Sequence, residues 1–365
     1  MPAAPTQLLE AAREGDEAAF GRLLDAHRGE LHAHCYRMLG SVHDAEDALQ
    51  ETSLRAWRAL SRFEGRSSLR SWLYTIATNA CLTMIERRPK RVLPVDFGPS
   101  VDAHDGLGLP PAEGTWVEPY PDAGLGLDAE LAGPEASYEL RESVELAFVA
   151  ALQHLPPNQR AVLVLREVLG FSAAEVAEQL ETSVASVNSA LQRARKTVDE
   201  RVPEESQQET LRALGDSSVS EIVEGYMDAM RRGDVEAVIS LLAEDAAWSM
   251  PPVPAWFHGH DALRGFMRFG PLSGDWRWRH IPTTANGQPA VASYGWYETE
   301  RAYRPFALDV MTLEGDRIKG ITSFITRDTL SRDADFYVRW PEQPFDDDRV
   351  TAAFARFGLP ERLDD

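Results

Sequence analysis

The sequence predicts a multidomain chain: a helical bundle and a helix-turn-helix domain, both all-α, followed by an α+β cone. Three observations predict it. Apolar residues recur at helical spacing through residues 1–91 and again over 141–202. Between them, residues 92–140 hold seven glycines, seven prolines and ten acids with no Lys or Arg, a composition that sustains neither helix nor strand. From residue 218 the pattern changes to helices followed by alternating strands. A length of 365 residues with 44% hydrophobic content leaves room for several cores.

The net charge of -21 argues against a nucleic-acid partner until it is placed along the chain. Residues 1–91 carry net +1, 92–140 net -10, 141–202 net -1 and 203–365 net -11. The acidity therefore lies in the linker and the C-terminal part. Cys35 and Cys81 have no metal-ligand spacing and fit reduced, buried thiols of a cytoplasmic protein. No signal pattern and no apolar run of membrane-spanning length is present, so a soluble, cytoplasmic protein without cofactor, metal or membrane contact is expected.

In the first domain, Leu8, Leu9 and Ala12, then Phe20, Leu23, Leu24, Leu31, Cys35 and Met38, keep helical spacing up to Gly40. The next helix turns Ala45, Ala48, Leu49, Thr52 and Ala56 one way. Glu46, Asp47, Gln50 and Glu51 then form an acidic strip joined by Leu54, suited to a basic protein partner or simply solvated. Phe63-Glu64-Gly65 breaks the helix. A third, Ser71 to Arg88, interleaves Trp72, Tyr74, Thr75 and Asn79 with packing residues and ends in Arg87, Arg88, Lys90 and Arg91. Aromatics beside polar groups and arginines suit unstacked bases, although a Trp and a Tyr also suit a core.

In the second domain, Pro156-Pro157 starts a helix that Gly170 ends. Ser172 and Glu175 form a capping box for a short helix, Glu181-Thr182-Ser183 is a turn, and Ser183 caps the next. Val184, Val187, Leu191, Ala194 and Val198 bury one face of it. The other carries Ser186, Asn188, Ser189, Gln192, Arg193, Arg195 and Lys196. Asn and Gln can read adenine edges, and Arg can read guanine or hold phosphate. The layout is that of a helix-turn-helix, or of an ordinary helical hairpin with a polar face.

The blocks YRMLGSVHDAEDALQETSLRAWRAL and FEGRSSLRSWLYTIATNACLTMIERRPKR resemble region two of the extracytoplasmic-function (ECF) sigma factors, of the sigma-70 family, of bacterial RNA polymerase. LPPNQRAVLVLREVLGFSAAEVAEQLETSVASVNSALQRAR is similar to region four of the same family. The resemblance implies two all-α sigma domains, 1–91 and 141–202. It implies that Asp44, Glu46, Asp47, Gln50 and Glu51 meet the polymerase. Arg66, Ser67, Ser68, Arg70, Trp72, Tyr74, Asn79, Arg87 and Arg88 would meet the minus-ten element. Ser183, Ser186, Asn188, Ser189, Gln192, Arg193, Arg195 and Lys196 would meet the minus-thirty-five element. The chain departs from the family pattern at Glu181, where glycine is common, at Asn188, where a basic residue is, and at Ala190, where arginine is. Fewer cations imply fewer phosphate contacts. Linkers of relatives thread a cationic polymerase channel, which the acidity of 92–140 would suit; a solvated tether is the other reading.

Residues 203–217 read as a second linker, 218–330 as the cone, and 331–365 as a tail with a short helix carrying Val350, Phe354 and Phe357. Within 218–330, strands are expected at 276–281, 290–298, 306–313 and 317–325, with a turn at 314–316. The segment resembles the SnoaL-like, nuclear-transport-factor-like superfamily, which implies a pocket. Its candidate lining is Trp248, Trp256, Phe257, Trp276, Trp278, Trp296 and Tyr297, with His258, His260, His280 and Asp309 as polar members. The expected function is a sigma factor, not an enzyme, that recognises promoters with core RNA polymerase and promoter DNA as partners. The SnoaL-like domain would regulate it, with a possible small-molecule ligand. The alternatives are a ligand-responsive DNA-binding regulator, or a SnoaL-type cyclase or hydrolase fused to a DNA-binding module.

Overall fold

A computed structural model describes residues 5–102, 107–108, 111, 114–125, 139–326 and 347–364. The chain divides into two compact units, Met1–Arg91 with Ala123–Glu204, and Val92–Asp122 with Glu205–Asp365. Both all-helical domains thus share one unit, and the segment expected to be a free linker is divided between the two.

In the first unit, α1 (Pro5–Arg13), α2 (Glu17–Asp25), α3 (Arg28–Leu39), α4 (Val42–Ala59) and α5 (Leu69–Ile85) make up the bundle. The capping residues are local: Asp16 Oδ1 accepts from Ala18 N and Ala19 N, Ser41 from Asp44 N, and Ser68 from Ser71 N. Helix α3 is the centre. Every residue from Ala33 to Leu39 is buried, and Gly40 ends the helix at φ 67, a left-handed position open to glycine. Cys35 and Cys81 are free and buried here. The second half of the unit runs through Leu146–Gln153, then Pro157–Leu163 with a π turn at Val164–Val168, then Ala173–Gln179 and Val184–Asp199. The capping box expected at Ser172 is present. Glu175 accepts from Ser172 N at 2.7 Å, and Ser172 Oγ accepts from Glu175 N at 3.2 Å.

The two halves are joined by buried polar contacts. Arg37 donates to Ser143 Oγ at 2.7 Å and Ser143 O at 3.1 Å. Gln153 Nε2 donates to Arg37 O at 3.2 Å, and Arg160 Nη1 donates to Met38 O. Arg160 also holds Gln153 Oε1, Gln153 O and Leu155 O. A cation thus sits on the last carbonyls of α3, where the helix dipole favours it.

The second unit is a curved six-stranded sheet with helices against it. Its strands are β1 (Leu242–Ser249), β2 (Trp256–His258), β3 (Trp278–Ala285), β4 (Gln288–Tyr297), β5 (Ala302–Glu314) and β6 (Arg317–Ile325), in the order β2-β1-β6-β5-β4-β3. The β1–β6 pair is parallel and the others antiparallel. Irregularities at Ser293/Tyr294 and Thr312/Leu313 interrupt the registers, as bulges that bend a sheet do. Asn286-Gly287 turns β3 into β4 with φ 57 and 68, and Gly315 turns β5 into β6. The expected strands are all found, β5 starting four residues early and β3 running four residues further. The core gathers Trp248, Phe257, Phe266, Trp278 and Phe306 on one side of the sheet. Each such buried side chain contributes about 1.5–3 kcal/mol.

Two expectations for flexible segments are corrected. Residues 203–217 are not a plain linker: Gln207–Leu214 is a helix with its own capping box from Ser206 and Glu209. Gln207 exchanges hydrogen bonds with Leu313 (2.8 and 2.7 Å), and Gln208 Nε2 donates to Gly287 O at 2.7 Å, so the glutamines complete the sheet. Residues 92–122 are likewise a strap on this unit. Val92 and Trp116 bridge the base of the strap, with a helical turn at Pro94–Phe97. Trp116 Nε1 donates to Pro252 O, and Trp256 Nε1 to Gly98 O. Tyr120 and Asp122 hold the Asn286-Gly287 turn through Tyr120 N to Asn286 Oδ1 and Gly287 N to Asp122 Oδ1, each 2.8 Å. Composition did not reveal this because every partner is distant in sequence. The tail helix Asp347–Ala355 docks Phe354 edge-on to Tyr294 at 5.3 Å, and Tyr303 bridges Leu363.

Candidate nucleic-acid interface

Along α4, the expected acidic strip separates by burial. Glu46, Asp47 and Gln50 are exposed, in line with His43 and with Leu54, which is 46% exposed. Glu51 is half-exposed and accepts from Arg55 at 2.6 Å. Asp44 differs: it is buried, its backbone lies in the first turn, and its carboxylate pairs with Arg88 and, at 2.7 Å, with Arg91. It ties α4 to the end of α5 instead of presenting a surface charge. Arg88 also reaches Asp47 at 3.4 Å.

Helix α5 separates its candidates in the same way. Trp72 is half-buried against Phe63 (5.0 Å), and Thr75, Asn79 and Thr83 continue its face, with Asn79 exposed. Arg87 is exposed beyond them. Arg66 is 86% exposed and Ser67 half-buried; Ser68 is the N-cap. Tyr74 faces the opposite way and is fully buried. Its hydroxyl donates to Glu30 at 3.1 Å, and its ring meets His34 (5.1 Å) and Phe171 (5.5 Å) edge-on. Arg70 pairs with Glu30 at 2.9 Å and lies over the Tyr74 and Phe171 rings. Burial raises the Glu30 carboxyl, but the hydrogen bonds and charges of His27 and Arg70 outweigh it and hold the group below its ordinary value. Burial, then the Glu30 charge, pushes the Tyr74 phenol up. In this arrangement Tyr74 and Arg70 serve packing between the two halves, where single-strand contact was expected. Gln179 of the second half donates to Ser71 Oγ at 3.0 Å on the same side.

The helix Val184–Asp199 presents its expected face almost whole. Ser183 caps it through Ser186 N (3.1 Å), and Ser186, Asn188, Ser189, Gln192, Arg193 and Lys196 are exposed. Val187, Leu191, Ala194 and Val198 are buried beneath, whereas Val184, expected with them, lies in the first turn and is 45% exposed. Arg195, though exposed, is held by Glu167 at 2.7 Å. Glu181, in the turn before it, adopts φ 51, the left-handed conformation that glycine takes without strain.

The cone brings part of the candidate pocket together. Asp309 is buried and accepts from Ser293 Oγ (2.7 Å) and Tyr226 OH (3.2 Å), while Trp248 Nε1 donates to Ser323 Oγ (2.8 Å) on the next strand. Trp276 stacks on Trp278 at 4.9 Å beside Phe306. Burial pushes the Asp309 carboxyl up, against the hydrogen bonds from Ser323, Ser293 and Tyr226, and pushes His280 down to about 4. Trp296 is separate: it packs on Tyr303 with Arg277 over its ring at 4.5 Å. Sequence reading missed Tyr226, Ser293 and Ser323 as polar partners; the alternation Ser293, Ala307, Asp309 on paired strands was the available signal. Among the described residues no cluster of His, Cys, Asp and Glu could hold a metal, and no helix is long and apolar enough to cross a membrane.

Comparison with known proteins follows this division. Residues 23–91 match the sigma-70 region 2 family, 145–198 sigma-70 region 4, and 223–321 the SnoaL-like domain. The chain is 40% identical over 353 residues to the ECF RNA polymerase sigma factor SigG of Mycobacterium tuberculosis, covering 96% of this chain and 86% of that protein. It is 31% identical over 225 residues to SigJ of the same species, 62% of each chain. The crystal structure of M. tuberculosis SigJ aligns over 85% of this chain and 97% of that one, with 25% identity and a TM-score of 0.53.

Proposed function

The chain belongs to the ECF sigma factors of RNA polymerase, with a C-terminal SnoaL-like domain, and from that premise we propose how its surfaces divide the work. It is a transcription-initiation factor and not an enzyme. It acts in the cytoplasm on core RNA polymerase and promoter DNA. Core polymerase meets α4 through Glu46, Asp47, Gln50, Leu54 and the half-exposed Glu51, and the exposure of the first four in one line supports the assignment. The face Trp72, Asn79 and Arg87 serves the melted minus-ten strand. The exposed face Ser186, Asn188, Ser189, Gln192, Arg193 and Lys196 serves the minus-thirty-five duplex, with Arg193 as its reader of guanine. The observation that carries this reading is the intact, capped helix-turn-helix with that polar face outward.

The test is reconstitution with core polymerase and mapping of the transcribed promoters. Arg193→Ala should weaken promoter binding, one bidentate base contact being worth about 1–3 kcal/mol. Asn79→Ala should mainly lower open-complex formation. Normal permanganate reactivity of the melted strand in Asn79→Ala would contradict the assignment.

The SnoaL-like domain regulates this activity in our reading. The support is that residues 92–122, which leave the end of region two, are bonded into the SnoaL-like unit. A small molecule bound within the cone would act as a signal. Removal of residues 203–365 followed by in vitro transcription tests regulation; identical promoters and rates with and without them would refute it.

A further inference from the structure

Within the first unit, a cleft of about 370 Å³ opens where the end of α5 faces the turn before Pro157. This size falls in the roughly 300–1,000 Å³ range of small-molecule sites. Its lining has two characters. Arg88, Lys90, Arg91 and Arg160 bring four cations against one carboxylate, Asp44. Leu39, Ile85, Leu155, Pro156 and Pro157 provide an apolar wall. We propose that this cleft binds an organic polyphosphate of the nucleotide class, the phosphates on the cationic side and the base and sugar against the aliphatic and proline wall.

The cationic side is preorganised. Asp44 fixes both Arg88 and Arg91, which leaves planar guanidinium donors in set positions, the geometry that suits phosphate oxygens. Arg160, at 5% exposure, has its terminal nitrogens held by backbone carbonyls and Gln153, so it adds fixed positive charge behind the cleft wall. Lys90 crosses from one half to the other, donating to His154 Nδ1 at 2.8 Å. A metal cation has the wrong sign for this lining. A simple phosphate leaves the apolar wall unused, and duplex DNA is too wide to enter. The cleft exists only while the two halves are together, so its ligand favours that arrangement over any in which they part. This consequence for initiation rests on the sigma-factor reading; the binding itself does not.

The test uses the full chain in isothermal titration calorimetry at low salt, with ATP, GTP, adenosine, inorganic triphosphate and a ten-nucleotide single strand as probes. A nucleoside triphosphate is expected to bind at least tenfold more tightly than inorganic triphosphate, and adenosine not measurably. Lys90→Glu should weaken nucleotide binding at least tenfold. Lys90→Gln should weaken it less, because it removes the charge without reversing it. Lys90 is at the exposed end of the cleft, so both variants should melt as the parent does. Absence of heat with every anion at millimolar concentration overturns the proposal, as does binding indifferent to Lys90→Glu. Equal affinity for inorganic triphosphate removes the base from the assignment and overturns the nucleotide class. A single strand that outcompetes the mononucleotides makes the cleft part of the promoter path and overturns it too.

Discussion

Arg37→Met should separate the two helical halves of the sigma unit without unfolding either. Arg37 is 1% exposed at the C-terminal end of α3, and its guanidinium donates to Ser143 Oγ at 2.7 Å and Ser143 O at 3.1 Å. Hydrogen bonds from a charged group contribute about 1.5–3 kcal/mol each, and a carbonyl left buried without a donor costs about 1–3 kcal/mol. Two offsets reduce the sum. Methionine avoids the desolvation of a buried guanidinium, which can recover several kcal/mol. Ser143 Oγ keeps its own bond to Leu140 O at 2.6 Å. The net cost to the contact is therefore about 2 kcal/mol, roughly thirtyfold in the closed-to-open ratio, at 1.4 kcal/mol per factor of ten. The contacts of Arg160, Gln153 and Gln179 remain and keep the shift partial. Fluorophores on cysteines placed at the exposed positions 58 and 200 report the distance between halves by energy transfer, the native Cys35 and Cys81 being buried. Transfer should fall in Arg37→Met and fall less in Arg37→Lys, which keeps the charge but not the fork. Unchanged transfer in a variant whose circular dichroism and melting match the parent refutes the latch.

Other outcomes follow from single features. His34 is fully buried and held down to about 3 by that burial, against an ordinary value of 6.5. The stability it supplies as a neutral group is complete above pH 6.5 and is lost as pH falls from 6.5 towards 3, at about 1.4 kcal/mol per pH unit. Urea unfolding at pH 7 and pH 5 should therefore differ less in His34→Gln than in the parent. Glu181→Gly should raise the melting temperature by up to a few degrees, since a left-handed non-glycine residue costs about 1 kcal/mol, and should leave promoter affinity alone. Asp47→Lys with Glu51→Lys should reduce co-purification with core polymerase at least tenfold with unchanged melting. Asp44→Asn should instead lower stability by about 3 kcal/mol, by leaving Arg88 and Arg91 without their carboxylate.

The elements built from near neighbours were legible in the sequence. The Ser172–Glu175 capping box, the Ser183 cap, the buried stripe Val187–Leu191–Ala194–Val198 and the Gly315 turn all depend on residues a few positions apart. The long-range pairs were not. Periodicity places Tyr74 and Trp72 on one helix but does not say which face the second half covers; Phe171 and Gln179, about a hundred positions on, decide that. Asp44 is assigned to the polymerase surface by the resemblance alone, because its partners Arg88 and Arg91 lie beyond the end of the next helix, more than forty positions on. Glycine, proline and acid content made residues 92–122 look solvated. Two indole N–H groups and the Asn286-Gly287 hairpin turn hold the segment instead, and composition does not register such single contacts.

The strap changes what the acidic segment does in our reading of the chain. A segment that enters a polymerase channel must be extended and free of other partners. Residues 92–122 instead close on themselves at Val92 and Trp116 and bond to Pro252, Trp256, Asn286 and Gly287 of the SnoaL-like unit. The two states exclude each other for these residues, because the same backbone cannot be held at both places. Any ligand that tightens the cone around Trp256 or the Asn286-Gly287 turn therefore favours the strapped state, and polymerase binding favours release, by the linkage that ties two equilibria through a shared element. The SnoaL-like domain need not cover a DNA-binding face to regulate initiation. Control of one connecting segment would be enough, and the hydrogen bonds of Trp116, Tyr120 and Asp122 are the contacts that release would have to break.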